Sequence, residues 1–510
     1  MEQAAEGRTR EETQGEDKNS LAARPVVQWL DRALVFWLFL FALTAPHSIA
    51  ASQTAWAFGL FTWILRLMVR PRPLFFRTPL DYPLIAFVAV TIITALTSYA
   101  PDLSIGKLPA VSLFTIVYLT AENIKSRKHL RLLALALVAS CMVNVVYSVG
   151  ERIVGRGIKI EGLSAESPLA AAGIHDGDTL LSVDGRKLRE PEELVAALDG
   201  AQISAPAVVK IYRFEWIGDM KVPRGRLRTG ATPIERLGVK SWSRGREWRA
   251  SGFYGLYVTY ADVLQLIGSL AFGLFIALKK KRSMAGALLL ASVAGISFAL
   301  IMTVTRAAWL AFLCSALLIV IVGASRRAVI ILLACALPVA LAGLFVLQQK
   351  RNVRFFDPQD QSTTWRETVW REGVHLLVSK PRHMVVGVGM DSIKRYGCSW
   401  GLFDNCRQPM GHFHSNLLQF AIERGLPALI IWLILIFVYA RMLWRTLRSQ
   451  DVGGWIERGI VLGALGGLLG FLLIGIVHYN WGDSEVVDTL YFIMGLSIVV
   501  WRMSGSNASA

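Results

Sequence analysis

Acidic side chains are the scarce component of this chain. Against 54 Lys and Arg stand 37 Asp and Glu, and the long apolar stretches hold almost none of them, Asp31 and Glu423 lying near stretch ends. A transporter places ionisable residues at mid-membrane, so this distribution argues against one. There is no HExxH motif and no serine in a recognisable nucleophile setting, which disfavours a membrane protease. Residues 1–26 lack a basic region leading into a short apolar run and a small-residue cleavage site; their mixed charges read as a disordered cytoplasmic tail, not a cleaved signal. Of the five cysteines, Cys141, Cys314 and Cys335 lie in apolar runs, as inert packing residues do. Cys398 and Cys406 stand apart in a polar stretch.

What is abundant is apolar sequence. Hydrophobic residues make up 54% of the 510 and the mean hydropathy is +0.46, carried in separate runs, which indicates a polytopic membrane protein. With about 20 residues per crossing, spans are predicted near 30–48, 51–69, 82–98, 108–123, 130–149, 254–278, 284–304, 307–323, 327–347, 415–440, 457–478 and 485–502, about twelve in all. Basic clusters at Arg70 and Arg72, Lys125 to Arg131, Lys279 to Arg282, Arg326 and Arg327, and Arg441 to Arg448 fall on alternate connections. That side is predicted to be cytoplasmic, with both termini on it. The chain then divides into a membrane region over 27–149, an outer insert over 150–251, a second membrane region over 252–349, an outer loop over 350–414 and a final membrane region over 415–510.

The insert reads as a small α+β domain. Thr179 to Val183 alternates as a strand and is closed by the Asp184-Gly185 turn, while Pro191 to Leu198 opens a helix with acids in its first turn. Together with Ile158 to Leu163, Ser167 to Ile174 and a strand from Ala207 to Phe214, this stretch (about 157–215) resembles bacterial PDZ domains. The resemblance implies a peptide ligand added as a strand, or an architectural spacer. The basic run from Arg224 to Arg249 is either solvated surface or a rim for anionic lipids.

The outer loop carries the chemistry-bearing residues. Arg351, Arg354, Arg366, Arg371 and Arg382 precede Gly387-Val388-Gly389 and the pair His412 and His414. Arg366 and Trp370 share a face of a helix predicted from Ser362 or Thr363 to about Val378, and the glycines read as a flexible turn able to approach phosphate. Arg306, in a tight apolar turn, needs an anion or carbonyl partner. The spacing of Cys398 and Cys406 favours a local disulfide over a metal site. His414 reads as a proton acceptor or, more simply, as a cap on the helix beginning at Asn416.

Arg366-x-x-x-Trp370, Pro381 before Gly387-x-Gly389, His414-Ser415 followed after nine intervening residues by Gly425, and Arg306 together resemble the bacterial O-antigen ligase and polymerase superfamily, with Ala428 departing from the ligase pattern's last position. The resemblance covers most of the chain apart from the tail and the PDZ-like insert, and implies an all-α polytopic fold of the C-type glycosyltransferase kind in a bacterial inner membrane, to which the small periplasmic α+β insert is an addition. It implies a metal-independent inverting enzyme without cofactor that moves a glycan from undecaprenyl pyrophosphate to a hydroxyl, most simply on lipid A-core. His414, Arg306 and Arg366 would be catalytic; Arg371, Arg354, His412, Gly387, Gly389 and Trp370 would bind substrate. A polysaccharide polymerase or a protein O-oligosaccharyltransferase would use the same residues.

Overall fold

The computed structural model describes residues 25–73, 75–200, 205–213, 216–246, 249–325, 327, 329–330, 361–407, 411–449 and 452–505. Arg351, Arg354, the tail over 1–24 and most of the span predicted at 327–347 lie outside these residues. Two compact units emerge: one formed by 143–260 with 301–304, the other by the remainder of the chain.

Among the described residues, nine helices are long and apolar enough to cross a membrane. The chain is therefore polytopic. Asp81–Leu96 is a shorter apolar helix. The span expected at 108–123 is one helical run, Pro101–Asn123, segmented by a 3-10 turn over Ser112–Phe114. Helix Ser484–Met503 is buried on nearly all sides. Met284–Met302 has only 28% of its apolar window buried, as a lipid-facing helix does. Helices Tyr257–Ala277 and Trp455–Ile474 cross at backbone contact, where a Cβ on Gly273 would meet Gly463 N at 2.4 Å. That approach brings the N-terminal half of the first helix beside the C-terminal end of the second.

Helix Asn416–Arg448 breaks at Gly425, whose φ of 81° and ψ of 167° leave the helical region. Pro427 then lacks the N–H that would reach the carbonyl of Glu423, four residues earlier. The two freed carbonyls are taken up from outside: Val388 N–H donates to Ile422 O at 2.8 Å and Gly389 N–H to Glu423 O at 2.9 Å. A stretch of the loop is thereby stitched to a membrane helix.

The smaller unit is a six-stranded sheet with short helices. Its strand order is Trp216–Val222, Ala207–Arg213, Thr179–Val183, Ile158–Glu161, Ser241–Arg244, with Arg186–Lys187 also paired to Thr179–Val183. Burial alternates from Ala207 to Ile211 in strand Ala207–Arg213, as in a half-buried strand. Ile158, Leu180, Val209 and Ile211 pack with Leu194 of helix Pro191–Leu198 into one core. Asp184 and Gly185 both have positive φ, 47° and 79°, the signature of a type I′ hairpin turn.

The helix break generates a prediction. Ala at position 425 would carry a left-handed φ and place its Cβ 2.4 Å from Val385 O, so Gly425→Ala should destabilise the protein by at least ~1–3 kcal/mol. Thermal unfolding in detergent measures it, and an unchanged midpoint would contradict the requirement for glycine.

Candidate active site

Helix Gln361–Val378 supplies one wall of the site. It presents Trp370, whose indole N–H donates to Phe413 O at 2.8 Å, and Trp365, whose ring meets His414 edge-on at 4.6 Å between centroids. Each contact fixes one residue of the Gly411 to Ser415 stretch. Arg366, half-buried between them, donates from Nε to Val477 O at 3.3 Å. Arg366 thus reaches a second loop, the one after helix Trp455–Ile474.

That second loop brings in a residue the sequence reading did not single out. The ring of His478 lies 6.2 Å from that of His412 and 6.3 Å from that of His414, which are themselves 4.0 Å apart. His478 Nδ1 is 2.9 Å from Oδ2 of Asp262, a buried carboxylate on helix Tyr257–Ala277. Asn416 holds the loop in place: its N–H donates to Gly475 O at 2.7 Å, its amide donates to Asn480 Oδ1 at 2.6 Å, and it accepts from Trp481 N–H at 3.2 Å. Among the described residues no group of three or more His, Cys, Asp or Glu could hold a metal ion.

The three imidazoles differ electrostatically. Burial pushes His414 down to about 2, helped by His412, His478 and Arg366. Burial likewise takes His412 to about 4. Both are neutral near pH 7. His412 Nδ1 accepts from His414 N–H at 3.2 Å, which leaves its proton on Nε2. Burial opposes the charge on His478 too, but the adjoining Asp262 carboxylate, with Asp483 adding to it, lifts it above the ordinary histidine value. His414 has a φ of 48°, a left-handed conformation of the kind that clusters at functional sites.

A cavity of about 250 Å³ opens beside His412, with Lys107, Lys394, Glu423, Arg424, Tyr479 and Trp481 in its wall. Asp391 pairs with Lys107 at 3.1 Å and Lys394 at 3.0 Å. Burial works against its charge, yet the two ammonium groups hold its carboxyl below the usual range. Its backbone N–H donates to Glu423 Oε1 at 2.9 Å.

Several sequence expectations need correction. Gly387 and Gly389 are not a flexible phosphate cradle: Gly387 N–H donates to His383 O and Gly389 N–H to Glu423 O. A Cβ on Gly387 would meet Glu423 O at 2.4 Å. Gly387 permits a close backbone crossing, and a Cβ on Gly389 would collide with the side chain of Ser98. His414 does not cap the next helix, whose N-cap is Ser415. The apolar helices are less free of acids than they read, because Asp262, Glu423, Glu457 and Asp488 are all buried in them. Arg382 lies over the Tyr99 ring at 4.1 Å and donates to Thr97 O. Arg371 is exposed on its helix, and Arg306 is half-buried at the first residue of helix Arg306–Gly323. Cys398 and Cys406 form a disulfide; the following wall is fastened by Glu372, whose carboxylate accepts from Phe403 and Asp404 N–H at 2.7 and 3.1 Å.

Fold and site together define a polytopic membrane protein with a histidine cluster at the end of its helices. Residues 291–433 match the family model described as O-Antigen ligase, in agreement with the motif resemblance to the O-antigen ligase and polymerase superfamily. The match spans Arg306, Arg366, Trp370, His412 and His414 and stops before His478. Two curated proteins share short stretches: the magnetosome formation protease MamE of Paramagnetospirillum magneticum, 51% identical over 45 residues, and that of Magnetospirillum gryphiswaldense, 43% identical over 44. Each stretch is 9% of this chain and 6% of the relative, so the chain spans only a small part of those proteins' length.

The lowered histidines predict a pH dependence of stability. Unfolding returns His412 and His414 to about 6.5, so the unfolded chain binds more protons below that pH. Stability from these two groups is therefore present above about 6.5 and falls as the pH drops, by at most roughly 1.4 kcal/mol per pH unit for each group. His478 contributes with the opposite sign, its stability being lost as pH rises through its folded value. The unfolding midpoint of intact protein should fall more steeply between about pH 6.5 and 4 than that of His414→Gln; parallel curves would contradict the shift.

Proposed function

We propose that this chain is a membrane glycosyltransferase that moves a glycan from undecaprenyl pyrophosphate to an acceptor hydroxyl at the periplasmic face, with lipid A-core the favoured acceptor. The observation that carries this reading is the neutral, conformationally strained His414, set between His412, Trp365 and the Arg366 helix inside the stretch matching O-antigen ligase. Glycosyl transfer from a diphosphate needs a base for the incoming hydroxyl and fixed positive charge for the departing oxygen. His414 is unprotonated near pH 7, as a proton acceptor must be, and the negative charge of a bound diphosphate would raise its low basicity. Arg366 suits the second, since its charge already acts on both His414 and His478. Arg306 and Arg354 are assigned supporting roles in holding the diphosphate.

In this mechanism the acceptor oxygen attacks the anomeric carbon opposite the diphosphate, so the configuration inverts. His414 takes the hydroxyl proton, and the good leaving group removes the need for a metal. The topology that goes with it puts both termini in the cytoplasm and the site on the periplasmic side of an inner membrane. The sheet unit is read as a PDZ-like insert that offers a docking surface for a peptide. A polymerase or a protein glycosyltransferase differs from this reading only in the acceptor. The buried carboxylates would favour a transporter, but Asp262 is engaged by His478, Glu457 by Arg131 at 2.8 Å, Glu423 by the N–H of Asp391 and Asp488 by the hydroxyl of Ser52 at 3.3 Å.

The test is transfer from purified undecaprenyl-pyrophosphate glycan to lipid A-core in detergent with chelator present. Intact protein should yield the inverted product, and His414→Ala should lower the rate about 10²–10⁴-fold. Lengthening of the lipid-linked chain with lipid A-core untouched would replace ligase by polymerase. Absence of turnover with lipid, glycan or protein acceptors would overturn the reading.

A further inference from the structure

Catalysis of this transfer creates two proton problems at once: the acceptor must lose a proton, and the departing phosphate oxygen gains charge. The cluster contains a second imidazole suited to the latter. His478 is fixed at Nδ1 by the buried Asp262 carboxylate, 2.9 Å away, so the nitrogen left for exchange is Nε2. Among the described residues the carboxylate oxygen that approaches Nε2 is that of Asp483, at 3.9 Å, beyond hydrogen-bond range. Its loop is pinned twice, by Asn416 through Asn480 and by Arg366 through the Val477 carbonyl. The same guanidinium assigned to the diphosphate therefore touches the residue preceding His478.

From this geometry we propose that His478, oriented by Asp262, is the general acid that protonates the departing diphosphate, while His414 is the base. The inference rests on the glycosyltransferase reading above. As the acceptor oxygen bonds to the anomeric carbon, the carbon–oxygen bond to the diphosphate breaks and its electron pair stays on the phosphate oxygen. The acceptor proton passes to His414, and the Nε2 proton of His478 passes to the leaving oxygen. The two histidines end with their protonation exchanged, and proton transfer through solvent resets them.

The environments agree with that division. Among the described residues the charged and titratable groups facing His478 are Asp262 on helix Tyr257–Ala277, Asp483 in its own loop, Arg366 on helix Gln361–Val378, and the rings of His412 and His414. The carboxylates outweigh burial and Arg366, raising His478, whereas His414 has only burial and positive or neutral neighbours and is lowered. Two like groups driven apart in this way are a recurrent arrangement of acid and base. Asp262 is a positioning residue: it acts through His478.

The experiment is a pH–rate profile of glycan transfer for intact protein, His478→Gln and Asp262→Asn in detergent, with thermal unfolding measured on the same samples. Intact protein should lose activity as pH rises through the raised His478 value. His478→Gln should be slower by about 10²–10⁴-fold and lack that alkaline limb. Asp262→Asn should keep the limb but move it to lower pH, because the carboxylate no longer favours the imidazolium. If His478→Gln does not fold, the limb of Asp262→Asn decides alone, and an unmoved limb overturns the proposal. So does a uniform rate loss with the limb intact in His478→Gln, which is the signature of a structural histidine. Absence of turnover by intact protein strikes at the transferase reading itself and removes the proposal with it.

Discussion

The arrangement of this site depends on one defect in a helix. At Gly425 and Pro427 the backbone of Asn416–Arg448 cannot continue its own hydrogen bonding, and the carbonyls of Ile422 and Glu423 are left in a buried setting where an unpaired acceptor is costly. Val388 and Gly389 satisfy them. In doing so they fix where the polypeptide runs between helix Gln361–Val378 and the histidines, and hence how Trp365, Arg366 and Trp370 meet the start of the broken helix. Two crossings, at Gly425 against Val385 and at Gly387 against Glu423, leave no room for a Cβ. The motif's glycines thus belong to the frame of the site.

A second frame comes from the other side. The close crossing of Tyr257–Ala277 and Trp455–Ile474 delivers Asp262 to His478, and the Asn416–Asn480 pair holds their loop against the first turn of the broken helix. Two neutral imidazoles and one biased toward charge consequently share a space a few ångströms across. Such a difference cannot arise in water, where all three would titrate alike.

Much of this was legible in the sequence. The strand Thr179–Val183 with its Asp184-Gly185 turn and the helix Pro191–Leu198 follow from alternation, turn chemistry and an N-terminal proline, signals that are local. His412, His414, Arg366 and Trp370 stood out because charged and aromatic groups are dense in one polar loop. What could not be read were partnerships made by tertiary packing. Asp262 and His478 are 216 residues apart, each a lone ionisable residue within or beside an apolar run, where it resembles a boundary marker. The Gly387-Val388-Gly389 pattern misled for the converse reason: glycine that admits a phosphate and glycine that admits another backbone look the same in sequence.

The most direct test of the account is a cryo-EM structure of the protein with a non-transferable undecaprenyl-diphosphate glycan analogue. The diphosphate should lie within hydrogen-bond reach of Arg366, with the anomeric carbon turned toward His414. A diphosphate lodged away from both residues would contradict the assignment of this histidine cluster as the site of transfer.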